Sequence, residues 1–569
     1  MAAGAVVGVL VLASAGAAQT APDRHGGALD RIGVYALRDG EPGLDGAGVR
    51  IAAVCRSATY LAGQPQDDYQ PDTTHPCLVD AGIVFEDPLA ALHGASAHAT
   101  TVAAILVGRD PAAIDPQGAV GLYEGAAPAA ALHVHEFWRF VRNHVLAGRP
   151  VEADIVTLSL GMTFDDWWTR GMQHLAERDG VVIIAPAGNG TAVRDPLLYP
   201  AAGPNVIAVG TVDAVIGEEG PRLDDFGLPH ATHSSVGPAM DGLCKPDLVA
   251  PSNVLVPDGA GYGPAGNWSS YAAPVVSGTA ALLIQQAQAD PQLAEVLGRE
   301  GFGCLVRAIL MNSARKLPFW HKGGPTVDDD HEVPLDYLQG AGMVDAPAAL
   351  EQFRAGPGGF GSVRSVGWDL NVIEKDGLLE NVYAVAVEPG DAAVEATLVW
   401  NRHYESQFPF EPRSADDTNL RLEVWAVDPD RPENARLLDY SDSPLDNVEH
   451  VHCRVDPAYP GIEIVVRCNG PVTPTETGTE TYALAWRTTG EKWSADPWWG
   501  DLNADGLVDR TDHLIARLLD LDGALLGVEG FAELLNLSQA RIDLLRSHWA
   551  QWRPLVTAAL EPIAAQPTP

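Results

Sequence analysis

The chain has 569 residues, and 36 basic against 75 acidic side chains leave a formal net charge of −39 at pH 7. A hydrophobic share of 46% with 20% charged residues is a globular composition, and the length implies three or four domains, each able to bury its own core. Such acidity argues against a nucleic-acid or anionic-membrane partner, because neutralising phosphates takes clustered Lys and Arg.

In chain order, the first twenty residues, MAAGAVVGVLVLASAGAAQT, form an apolar run with an A-x-A cleavage site at Ala15-Gly16-Ala17. Residues 1–18 read as a secretory signal peptide, although no basic residue precedes Arg24, and residues 19–45 read as a linker. The expected address is therefore secreted or extracytoplasmic. No later stretch reaches the ~18 uninterrupted apolar residues of a membrane span. Six cysteines (Cys55, Cys77, Cys244, Cys304, Cys453, Cys468) occur without any C-x-x-C spacing. In an exported chain an even number favours disulfides over metal thiolates. Cys453 and Cys468 flank an expected hairpin, where a bridge would contribute about 3 kcal/mol in the chain-entropy model.

Between residues 46 and 352, Val/Ile-rich runs bounded by Gly and Pro alternate with amphipathic stretches: VRIAAV, HATTVAAILVG, DIVTLSLG, GVVIIAPAG, NVIAVGTV. Continuous apolar runs of this length suit strands buried on both faces, which predicts an α/β domain with a doubly wound parallel sheet. Residues 358–490 change to period-two runs such as VEATLVWN, LRLEVWAV and TYALAWR, the pattern of an antiparallel β-sandwich. Residues 496–569 return to helical text behind an Asp-rich loop.

Three segments of the α/β region carry groups that acyl transfer requires. His98 opens an Ala-rich helical run, Asn189 ends a buried strand beside Gly188, and Ser270 lies in the first turn of a buried helix. Unpaired N–H groups and the positive dipole end at such a turn favour an oxyanion. Singly, each has a plain explanation: a core histidine, a turn asparagine, a helix-capping serine.

Together and in this order they resemble the subtilisin-like serine proteases, the subtilase or peptidase S8 family. His98-Ala-Thr-Thr-Val-Ala-Ala stands against that family's H-G-T-H-V-A-G, Ala187-Gly188-Asn189 against A-G-N, and Ser270-Tyr-Ala-Ala-Pro274 against S-M-A-A-P. Lys245-Pro-Asp-Leu-Val-Ala-Pro251 and Gln339-Gly-Ala-Gly-Met-Val-Asp-Ala346 continue the likeness. The resemblance implies a serine endopeptidase with Ser270 as nucleophile, His98 as general base and Asn189 in the oxyanion hole. It also implies that Ser159, Leu160 and Gly161 offer a backbone edge to a peptide or protein substrate.

One position departs. The family's aspartate ends a strand reading V-x-V-A-V-I-D, and here Val49-Arg-Ile-Ala-Ala-Val-Cys55 places a thiol there. Loss of such a carboxylate costs roughly 10⁴ in turnover in well-studied triads. Asp67 and Asp68 follow in an insert from which they could fold back toward His98. Thr101, Trp268, Ser269 and Tyr271 also depart from the motif, Trp268 most of all, since it replaces a glycine that permits close backbone approach. The alternative reading is a catalytically degenerate subtilase-fold protein that acts as a binding or surface-assembly module.

The sandwich is similar to the one that follows the catalytic domain in some subtilases. At 501–512, oxygen donors Asp501, Asn503, Asp505, Asp509 and Asp512 fall at loop positions one, three, five, nine and twelve, with the Leu507 carbonyl at seven and Gly506 at the turn. This spacing predicts a calcium site, and the loop with its following HLIARLLD helix resembles an EF-hand or dockerin module. A dockerin implies a cohesin-type partner, although Asp520-Leu-Asp522-Gly523 is only a remnant of the second loop such modules carry.

Overall fold

The computed structural model describes residues 24–25, 27–87, 94–190, 196–212, 216–217, 220–221, 234–252, 255–264, 266, 268–317, 320–323, 329–374, 380–413, 418–469 and 478–490, together with Leu502, the helix Arg510–Asp520 and a few positions between 535 and 553. The expected signal peptide at 1–18 and most of the expected calcium loop lie outside these residues. Among the described residues, no helix is long and apolar enough to cross a membrane.

The Val/Ile runs form one seven-stranded parallel sheet. Its strands are β1 (Arg50–Cys55), β2 (Ile83–Phe85), β3 (Ala131–Glu136), β4 (Ile155–Leu158), β5 (Val182–Pro186), β6 (Ile207–Val212) and β7 (Leu248–Pro251). They lie in the order β7-β6-β5-β4-β1-β3-β2. The order reverses between β1 and β4, and the crevice at the carboxyl ends of strands beside such a reversal is where ligands bind in open α/β sheets.

Side chains alternate across the sheet, so one strand feeds two cores. Ile51, Ala53 and Cys55 face helices α1 (Ala97–Val107) and α3 (Ser269–Ala289), whereas Ala52 and Val54 face helix α2 (Trp167–Asp179). Helices α4 (Phe302–Asn312) and α5 (Ala346–Arg354) complete the first face. The expectation of a plain linker at 19–45 is corrected in part: Ala28–Arg31 and Val34–Gly40 are short helices whose Leu29, Ile32 and Val34 join the same core.

A buried charge cluster ties the far half of the sheet together. Asp247 accepts from the Ala208 N–H at 2.6 Å, from Lys245 Nζ at 2.9 Å and from Arg307 Nη2 at 2.5 Å, and all three side chains are almost fully buried. Burial lowers the Lys245 pKa to about 8. Removing one member would strand the others as uncompensated buried charges, at a cost of about 3–5 kcal/mol.

Between Gly361 and Thr489 the described residues form two further sheets, antiparallel except where Gly361–Val363 pairs parallel with Glu380–Ala386, and they share one buried core. One sheet contains Gly361–Val363, Glu380–Ala386, Leu420–Val427, Arg436–Ser441 and Gly461–Cys468; the other contains Val366–Glu374, Ala393–Trp400, Val448–Arg454 and Thr479–Thr489. The hairpin expected between Cys453 and Cys468 is not formed, because Val448–Arg454 and Gly461–Cys468 belong to different sheets. Cys453 sits near the connection and Cys468 at the far end of an eight-residue strand, which carries it roughly 20 Å away. That exceeds the reach of a disulfide. Cys55, Cys77, Cys244, Cys304 and Cys453 are free thiols, which corrects the expectation of pairing for these five.

The sandwich packs directly on the α/β domain. Phe410 is buried against Gly171 of α2, and Val399, Val448, Ala483 and Ala485 enter the core around α4. His403 bridges the two parts, with Nδ1 2.7 Å from Glu177 of α2 and Nε2 3.2 Å from Glu480 of the sandwich. Hydrogen bonds to Glu177 and Glu480 raise its pKa from 6.5 to about 10. A raised folded-state pKa means that this contribution is complete below about pH 6.5 and is lost as pH climbs toward 10. Thermal unfolding followed by circular dichroism should show the melting temperature falling across that window, and His403→Gln should flatten the dependence.

Candidate active site

Helix α3 carries Ser270 as its second residue, and the start of that helix is held by β5. Gly188, just after β5, adopts φ 121°, and a Cβ there would lie 2.5 Å from Ser235 Oγ, so glycine alone fits. The turn aims Asn189 at the helix. Its Oδ1 accepts from the Ser269 N–H at 2.8 Å and from Ser269 Oγ at 2.9 Å, while the Gly188 N–H donates to Ser269 Oγ at 3.2 Å. With Oδ1 committed in this way, Nδ2 is the end of the carboxamide that can donate to a ligand. The Ser270 N–H is among the first four of α3, which have no partner within a helix, and lies at the positive end of its dipole. Asn189 and the first turn of α3, which carries Ser270, are thus held against each other.

Ser159 couples β4 to the same turn. Its Oγ donates to the Ser270 carbonyl at 2.9 Å, and Ser270 Oγ donates back to the Ser159 carbonyl at a long 3.4 Å. The second bond is weak enough for the hydroxyl to be turned toward another acceptor. No hydrogen bond joins Ser270 to His98. Ser159, Leu160 and Gly161 follow β4 outside its ladder and are half-exposed. Gly161 has no room for a Cβ, which would meet Leu198 Cβ and the Tyr199 carbonyl at 2.8 Å. Met162 exchanges two backbone bonds with Tyr199, at 2.9 and 2.7 Å, and this pairing backs the segment from behind.

His98 is the second residue of α1, whose first turn is capped by Ser96 Oγ accepting from the Ala99 N–H at 3.2 Å. The imidazole lies against the Tyr271 ring, centroids 5.6 Å apart and planes tilted by 35°. Desolvation lowers its pKa, so the ring is neutral at pH 7 and able to accept a proton. No charged side chain among the described residues opposes or reinforces that shift.

Cys55 ends β1 on the face shared with α1 and α3. It is buried and free, and burial pushes its thiol up to about 12, so it is protonated at physiological pH and supplies no negative charge. The carboxylates nearest in sequence do not replace it. Asp68 accepts from Ser57 Oγ at 2.6 Å, and neither Asp67 nor Asp68 forms an ion pair with His98. Glu136 stands in register with Cys55 on the adjacent strand, but its Oε2 accepts from the Arg139 N–H at 3.0 Å and Tyr60 OH donates to its Oε1 at 3.4 Å. Burial raises the Glu136 pKa, and its side chain serves to cap the short helix Phe137–Phe140.

The structure thus brings Asn189 and Ser159, with Leu160 and Gly161 after it, to the turn that carries Ser270, sets His98 against Tyr271 of the same turn, and places Cys55 at the end of β1. The residues that the sequence marked only as departures take part as well. Trp268 adopts ordinary extended backbone, φ −123° and ψ 127°, so no glycine is needed, and its indole is half-exposed beside the Ser270 turn. Ser269 receives the Asn189 carboxamide, and Tyr271 receives His98. A hydroxyl adjacent to the nucleophile and an aromatic next to it in sequence were the signals available. Of the expected metal donors, Asp501, Asn503, Asp505, Leu507 and Asp509 lie outside the described residues; Asp512 lies in the first turn of Arg510–Asp520, and its side chain is likewise outside.

The sequence profile of the subtilase family (Peptidase_S8) matches residues 68–342, just under half of the chain, and so begins downstream of Cys55. Among solved structures, the prenylagaramide maturation protease PagA is 22% identical over 56% of this chain and 98% of that one, with a TM-score of 0.37. The patellamide maturation protease PatA is 24% identical over 55% of this chain and 98% of its own, with a TM-score of 0.36. The span matched by the subtilase-family profile contains six of the seven strands of the parallel sheet, all but β1.

Proposed function

We propose that the chain is a secreted serine endopeptidase in which Ser270 is the nucleophile, His98 the general base and Asn189 an oxyanion donor. The observation that carries this reading is the pair of hydrogen bonds from Ser269 to Asn189 Oδ1, which hold the carboxamide at the turn bearing Ser270. A peptide paired along Ser159 to Gly161 would bring its scissile carbonyl to Ser270. The Ser270 hydroxyl would leave the Ser159 carbonyl, give its proton to His98 and attack the carbonyl carbon, while the Ser270 N–H and Asn189 Nδ2 hold the developing oxyanion. His98 would then protonate the leaving amine, and water would hydrolyse the acyl-enzyme by the reverse sequence. A neutral thiol at position 55 leaves the imidazolium without a counter-charge, so the enzyme is slow. The same thiol favours the second reading, a peptide-binding subtilase fold without turnover.

The carboxy-terminal segment is proposed as a calcium module. Four carboxylates, one carboxamide and one carbonyl at EF-hand spacing form an all-oxygen donor set suited to a hard cation. Calcium held there would order the helix that follows.

A fluorophosphonate probe followed by intact mass should label the wild type and fail on Ser270→Ala; folded wild-type protein that stays unlabelled supports the binding-module reading. Cys55→Asp should accelerate labelling, by up to about 10⁴ if the carboxylate reaches His98 as in complete triads. Calorimetry on the full chain should show one calcium bound, and Asp501→Ala with Asp505→Ala should abolish the heat; no heat in the wild type refutes the site.

A further inference from the structure

A triad carboxylate has two tasks: it fixes the orientation of the histidine, and it stabilises the charge that forms there. This chain lacks that carboxylate, yet His98 is held. Its contact is Tyr271, which follows Ser270 directly and whose N–H donates to the Trp268 carbonyl at 2.9 Å within the first turn of α3. The ring separation of 5.6 Å is within the range of aromatic contact. The far end of Tyr271 lies near the Thr101 side chain. Thr101 and His98 are three residues apart on α1 and therefore share a face, one turn from each other. A single side chain thus rises from the nucleophile's helix and meets the imidazole carried by the base's own helix.

We infer that Tyr271 is the positioning residue for His98, setting the plane of the imidazole by ring contact. The inference rests on the peptidase reading for its catalytic meaning, and on geometry alone for the contact. Ring contact restrains orientation without neutralising an imidazolium. It performs the first task of the missing carboxylate and leaves the second undone.

The test is a nitrogen-15 NMR titration of His98 in the full chain, assigned with His98→Gln, beside the pH profile of fluorophosphonate labelling at Ser270. Tyr271→Ala should move the His98 titration up toward the ordinary imidazole value as water reaches the ring. It should also slow labelling by up to about a hundredfold, the scale of a misplaced catalytic group. Tyr271→Phe keeps the ring, so its effect should be smaller, and it guards against a folding defect. In a Cys55→Asp background, where a carboxylate can orient His98, the cost of Tyr271→Ala should shrink. A titration that ignores both substitutions overturns the inference whatever labelling does. A titration that moves while Ser270 stays unlabelled in every variant upholds the contact and overturns the peptidase reading.

Discussion

The placement of helix α3 through the core is the constraint on which the site depends. Its apolar residues from Ala272 to Ala287 are almost all fully buried, between the sheet and the helices α1, α4 and α5. Gly278 lies so close to Ala126 that a Cβ would meet the alanine methyl at 2.1 Å, so the helix has no freedom to slide. Ser277 Oγ donates to Thr157 Oγ1 of β4 at 3.0 Å, and Asn189 clamps the amino terminus. A helix fixed at both its end and its middle fixes Ser270 without further effort. The dipole and the unpaired amides of its first turn then face the crevice at the switch point of the sheet.

The same packing explains what a thiol does at position 55. Cys55 points into the core beneath α1 and α3, where a charged carboxylate would need a hydrogen-bonded partner to offset its burial. A protonated thiol behaves there as a small apolar side chain. Burial by itself favours the cysteine over an ionised aspartate at this position. Glu136, one strand away, shows that the region tolerates a buried carboxylate when backbone N–H groups receive it.

Much of the fold was legible because each strand run is apolar on both faces and each is bounded by Gly or Pro. The order of His98, Asn189 and Ser270 along the chain was legible as well, through short motifs that retain their spacing. The hairpin at Cys453 and Cys468 was misread because period-two alternation marks a strand without saying which sheet it joins, and consecutive strands of a sandwich often cross between sheets. The helices at 28–40 were missed because they are short, and their burial comes from contacts with α5 and the core rather than from a periodic pattern of their own. Trp268 was judged disruptive from a motif glycine, yet its φ of −123° is open to any residue.

By itself the sequence determined the chemistry on offer: a serine in a first helical turn, a histidine heading a second helix, an asparagine after a strand, and no aspartate at position 55. These follow from residue identity and local spacing, which survive without knowledge of the fold. Only the tertiary structure decided which partners those groups have. It committed Asn189 Oδ1 to Ser269, kept the thiol of Cys55 neutral by burial, left Asp68 on Ser57, and set Tyr271 against His98. Each of these pairs joins residues far apart in the chain or turns on depth below the surface. Neither distance across a core nor burial is written in local sequence, and so the packing of α1 and α3 on the sheet had the final word.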